Sequence, residues 1–183
     1  MLSSCSPEYR MENGKWAYVY YDEGAGKNVE YLNADNATFR IFDDYYAGDK
    51  SGIFYKGYKI YSADPGSFEV ISSGGYSKDK NLVYYESEIV IGADPKSFKV
   101  LTFPYSKDLK TVYCGTIPMK VSRPEEFKVT VSSDTQITES IDGFIHRNPE
   151  YSYLDPAKYK RVIYGRGKGE TGTENFKDFK KIN

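Results

Sequence analysis

The chain has 183 residues, enough for one domain, or one domain with an appended segment, and for a real core. Its 25 basic and 26 acidic side chains nearly cancel, which excludes the basic field that general nucleic-acid binding needs to displace counterions from phosphates. Eleven Val and twelve Ile against six Leu, with 19 Tyr and 10 Phe, favour strands over helices, and the many tyrosines argue against disorder. The charge is uneven along the chain: residues 1–50 carry nine acidic and five basic groups, residues 151–183 four acidic and eight basic.

Residues 1–14 read as an N-terminal tether. Met1-Leu-Ser-Ser-Cys5 resembles the lipobox of bacterial lipoproteins, in which a Cys after small residues is lipidated. On that reading Cys5 anchors a domain in the periplasm or at the outer membrane; otherwise the protein is cytoplasmic. A membrane contact is expected only through Cys5.

Next comes a strand, Trp16 to Tyr21, and a Gly-rich loop, Asp22 to Lys27, expected to be a lengthened hairpin. No helical pattern follows it to make a phosphate cradle. The chain then repeats itself. Phe39, Phe68, Phe98 and Phe127 are spaced 29, 30 and 29 residues apart, so residues 15–131 hold four copies of a unit of about 30 residues. In the clearest copy, Tyr76-Ser-Lys-Asp-Lys-Asn81 reads as turn chemistry and Leu82-Val-Tyr-Tyr85 as a strand. A second reversal at Ser87, Gly57 in the preceding copy, leads into Ile89-Val-Ile91. Asp94-Pro-Lys-Ser-Phe98 closes the copy as a capped turn that aims Phe98 back at the sheet.

These runs, Asp79-Lys80-Asn81 with Tyr84-Tyr85 and then Gly92-Ala-Asp-Pro-Lys-Ser-Phe-Lys-Val-Leu101, resemble the DKNYY family of bacterial proteins. The outer copies depart from the pattern: Leu109 replaces the motif Lys, Cys114 the second Tyr, and Arg123 the Asp before Pro124. The resemblance implies a modest set of roles. Some members lie beside polymorphic toxins and are thought to be their immunity proteins; others are predicted lipoproteins.

After Val131 the period is lost. Residues 132–164 read as an irregular capping segment in which Ile141 to Ile145 makes a short strand or turn. Asp155-Pro-Ala-Lys-Tyr159 repeats the capped turn ahead of a strand at Arg161 to Tyr164, so this segment reads as a degenerate fifth copy. Residues 165–183, opening Gly-Arg-Gly-Lys-Gly-Glu-Thr-Gly, have the composition of a mobile basic tail.

Chemistry is sparse. The single His146 stands outside the repeats, and no His/Cys cluster has zinc spacing nor any acidic loop calcium spacing. Asp43-Asp44 and Glu125-Glu126 are adjacent, point to opposite faces of extended chain and read as solvated charges. The recurring Asp49, Asp79 and Asp108 read as backbone-binding turn carboxylates. Cys114 reads as a small buried residue. No catalytic residue, metal or cofactor is expected. Alternation along the strands puts one ring of each pair on each face, making Tyr55, Tyr84, Tyr85 and Tyr113 candidates for a binding face, with stacked ring ladders as the competing account.

The expected fold is all-β: four tandem antiparallel three-stranded units, solenoid-like or a partial propeller, with an irregular C-terminal cap. The expected function is a non-enzymatic protein-binding module whose partner, by family analogy, is a toxin domain. The alternative is an envelope lipoprotein that serves as a scaffold or recognises ligands.

Overall fold

A computed structural model describes residues 7–72 and 74–182. The described residues are all-β with few helices, arranged as small antiparallel sheets of three or four strands with no closed barrel. The chain divides after Lys80 into two compact units.

In the first unit, β1 (Glu8–Glu12), β2 (Lys15–Asp22) and β3 (Gly26–Tyr31) form a three-stranded meander. Asn13 and Gly14, both at positive φ, close its first hairpin, as a two-residue turn requires. The Asp22 to Lys27 loop closes the second; Asp22 Oδ1 accepts from the Gly24 and Ala25 amides. A four-stranded meander follows: β4 (Arg40–Ile41), β5 (Tyr46–Asp49), β6 (Gly52–Tyr55) and β7 (Tyr58–Ile60). The antiparallel pair β8 (Glu69–Ser72) and β9 (Tyr76–Lys78) completes the unit. Tyr9, Tyr18, Leu32, Ala47 and Phe54 make one buried cluster.

The second unit opens with the hairpin β10 (Val83–Tyr85) and β11 (Glu88–Ile89). A four-stranded meander comes next: β12 (Lys99–Val100), β13 (Tyr105–Lys107), β14 (Val112–Cys114) and β15 (Ile117–Pro118). A last sheet holds β16 (Lys128–Ser140), β17 (Arg161–Glu170), β18 (Asn175–Lys177) and β19 (Lys180–Ile182), again in sequence order, with helix α1 (Ile141–Arg147) between β16 and β17. Its core joins Tyr105, Phe127, Phe144, Tyr151, Phe176 and Phe179.

The repeat is real in its turns and differs from expectation in its strands. Phe39, Phe68, Phe98 and Phe127 each stand directly before a strand that opens a new stretch of sheet, β4, β8, β12 and β16. The Tyr-Ser-Lys stretch, expected as part of the turn, is itself a strand (β9, β13), as is its counterpart Tyr46–Asp49 (β5), so the meanders β4–β7 and β12–β15 have four strands rather than three. The reason is local: Tyr105 and Ser106 are fully buried in extended backbone, and the reversal starts only at Asp108.

The motif residues form a circuit that recurs. Asp49 Oδ1 binds the amides of Ser51 and Gly52, closing its own turn, while Oδ2 accepts from the Asp35 amide in the preceding capped turn, 2.5 Å away. Asp108 repeats both halves, with Lys110 and Thr111 on one oxygen and the Asp94 amide on the other. Asp79 accepts from the Asp64 amide in the same way. The motif Lys returns to the carboxylate of that capped turn, Lys50 to Asp35 at 2.6 Å and Lys80 to Asp64 at 3.0 Å. Leu109, in the Lys position of the next copy, is 81% exposed and leaves that link unmade.

Three expectations for the ends are corrected. Part of the tether, Glu8–Glu12, is strand β1, held by Tyr9, whose hydroxyl donates to the carbonyls of Tyr45 and Phe54. Ile141 to Ile145 is helical because the Ser140 hydroxyl caps it at the Gly143 amide and Ile141 and Phe144 turn into the core. The Gly-rich stretch expected as a mobile tail is β17. Its buried Gly165, Gly167 and Gly169 let the strand lie against Phe103, Pro104, Tyr105 and Phe127; a Cβ on Gly169 would come within 2.1 Å of the Phe127 ring. β18 and β19 complete the last sheet, with Phe176 and Phe179 buried. Thr171 takes the part of the motif Asp there, its hydroxyl accepting from the amides of Thr173 and Glu174.

Candidate functional site

The four tyrosines expected on a binding face are core residues. Tyr55, Tyr84, Tyr85 and Tyr113 are between 0% and 8% exposed. Strands of three or four residues buried on both sides do not show the one-wet-face alternation on which that expectation rests. Tyr113 donates to Asp108 Oδ2 at 2.8 Å and Tyr85 to Gln136 Oε1 at 3.1 Å, so both rings serve the architecture. Cys5 lies outside the described residues.

The remaining polar candidates are accounted for locally. His146 is exposed on α1, and among the described residues no group of three or more His, Cys, Asp or Glu is placed to hold a metal. Asp43 Oδ1 accepts from the amides of Tyr45 and Tyr46, while Asp44 faces solvent. Glu126 pairs with Arg123 at 2.5 Å. Cys114 is fully buried, and burial pushes its thiol up to about 12, far from the thiolate that reactivity requires. A basic hollow in the second unit, lined by Arg147, Arg166, Lys177 and Lys180, already answers two of its cations: Arg147 pairs with Glu139 and Arg166 with Asp178.

One group of tyrosines that sequence reasoning missed gathers in the first unit. Tyr18, Tyr20, Tyr45 and Tyr58, with Pro7 and Lys56, line an open groove of about 470 Å³. Tyr18 and Tyr20, two residues apart on β2, share a face, their rings 6.1 Å apart. Tyr18 is buried and forms the floor; Tyr20 and Tyr45 are half-buried, and Tyr58 is 61% exposed. The other wall is the β6–β7 turn. Lys56 and Gly57 both have positive φ, and a Cβ on Gly57 would sit 2.8 Å from Glu30 Cβ and 3.1 Å from Tyr18 Cβ, so glycine lets this turn lie close against β2 and β3.

Charge at the groove is mixed and mostly negative. The Lys56 ammonium lies 5.1 Å from the ring centres of both Tyr45 and Tyr55. Glu30 stands across from Tyr18 on β3, and its nearby carboxylate raises the pKa of the Tyr58 phenol. Burial, then the nearby Tyr45, Asp44 and Asp43, push Tyr18 up to about 12, so Tyr18, like Tyr58, is a neutral donor at physiological pH. Rigid amphipathic rings on a β surface give contact area at low entropic cost, the material of protein-binding faces rather than of a reaction centre. The sequence holds two hints of the groove: the i, i+2 pair Tyr18 and Tyr20, and Lys56-Gly57 followed by Tyr58.

Comparison with known proteins gives one match. The model of the DKNYY family fits residues 3–88 and 76–183, two overlapping segments that span both units. No curated protein and no solved structure matches. With the match reaching from the first strand to the last, the chain belongs to the DKNYY family.

Proposed function

We propose that this protein is a non-enzymatic protein-binding module that presents the tyrosine groove of its first unit to a partner, and that the partner is a toxin domain which it neutralises. The observation that carries the reading is the groove itself: four tyrosines on a rigid β frame, one of them largely exposed, in a chain whose other tyrosines at motif positions are buried. The toxin as partner comes from the family resemblance alone. On the same reading the 30-residue copies are a tandem scaffold, their motif residues committed to turns and core, and specificity lies in residues outside the motif.

Co-expression with a candidate toxin encoded next to its gene tests this. Wild-type protein restores growth, and the double variant Tyr20→Ala/Tyr58→Ala, with an unchanged circular dichroism spectrum, loses rescue and weakens binding at least about tenfold, as for central aromatic contact residues. Full rescue by the double variant at limiting expression would remove the groove from the function.

A further inference from the structure

The groove's chemistry specifies what it takes from a partner. We propose that it receives a cationic side chain, Arg or Lys, carried on the partner's surface, and that Lys56 occupies the same place until the partner arrives. This rests on the protein-binding reading above.

Three observations converge. First, the groove already seats a cation: Lys56 Nζ lies 5.1 Å from the Tyr45 and Tyr55 ring centres, at the distance where a ring quadrupole attracts positive charge. The residue comes from a tight turn at positive φ, so its backbone is fixed while its long side chain remains free to swing. Second, the remaining walls are phenols with acceptor oxygens, and Tyr58 is the most exposed of them, where an entering guanidinium meets ring faces and hydroxyls together. Third, the surroundings are acidic. Glu30 stands on β3 across from Tyr18, Asp43 and Asp44 lie beside Tyr45, and residues 1–80 hold twelve acidic against nine basic side chains. Lys56 offsets only part of this, so a second cation is drawn in, and the partner's charge gains whatever room Lys56 gives up.

The arrangement makes a prediction opposite to that of a plain hydrogen-bonding site: removing the positive charge of Lys56 from the groove tightens binding. Full-length protein is titrated with hexa-arginine, hexaglutamate and spermine at 150 mM salt, followed by calorimetry. Hexa-arginine binds and hexaglutamate does not; Lys56→Gln tightens hexa-arginine at least about threefold, whereas Tyr58→Ala and Glu30→Gln each weaken it by about that factor or more. Thermal melts check that the three variants fold. Binding indifferent to Tyr58→Ala, or weakened by Lys56→Gln, overturns the proposal. Spermine binding more tightly than hexa-arginine also overturns it, in favour of a free polyamine. If the toxin is neutralised and needs Tyr20 and Tyr58 but is indifferent to Glu30→Gln and Lys56→Gln, the protein-binding reading stands and the cation as its determinant falls.

Discussion

At the scale of single residues, the aspartates carry the turns. Asp35, Asp64 and Asp94 have carboxyls held below the usual range, chiefly by Lys50, by the Ser67 hydroxyl and by the Ser97 hydroxyl respectively. Burial alone would raise Asp49, but the hydrogen bonds from the Asp35 amide, Ser51 and Gly52 outweigh it and the carboxyl is also lowered. A carboxyl depressed in the folded state binds fewer protons there than in the unfolded chain, so its contribution is complete above the unfolded value near 3.8 and is lost as pH falls through the folded one. The expected outcome is a urea midpoint that is flat from pH 7 to about pH 5 and falls steadily below pH 4; a midpoint unchanged at pH 3 would contradict the circuit. This role of the aspartates was legible in the sequence, because a carboxylate recurring beside a reversal has amides within reach. The reach of the second oxygen back to the preceding capped turn was not, since it joins residues 14 or 15 positions apart.

At the scale of elements, the capped turn and the phenylalanine period were readable, because Asp, Pro and Phe each have one dominant use at those positions. The tyrosine faces were not. Alternation predicts an inside and an outside only where one side of a sheet is wet, and Tyr84 and Tyr85, neighbours in β10, are both buried. The groove escaped for a different reason: its rings come from β2, from the residue before β5 and from β7, brought together by a turn that only Gly57 permits. The copies also differ in one link that can be restored. Leu109→Lys places an ammonium where Lys50 and Lys80 stand, opposite Asp94, and is expected to raise stability slightly, as exposed ion pairs do. Urea unfolding at low salt should show the gain and 1 M salt should erase it; an equal change at both would mean that the pair does not form.

At the scale of the molecule, each unit has its own buried cluster, and the second depends on residues that composition alone marks as loose. Gly165, Gly167 and Gly169 contribute no side chain, which is why a sequence scan sees a flexible tail; their use is visible only once Phe103, Tyr105 and Phe127 are seen packed over them. Gly169→Ala pushes a methyl into the Phe127 ring and is expected to cost about 1–3 kcal/mol, the usual range for overpacking. Gly172→Ala, at an exposed position with its nearest neighbour 3.2 Å away, is the control and should change stability little. Comparable thermal midpoints for the two variants would show that β17 is not held by its glycines. For these three sites glycine is already the smallest residue, so every substitution is an increase in bulk. The strand that seals the second unit therefore has no harmless direction in which to drift, and variation during evolution is expected to gather on its outward partners Arg166, Lys168 and Glu170, leaving the inward line alone.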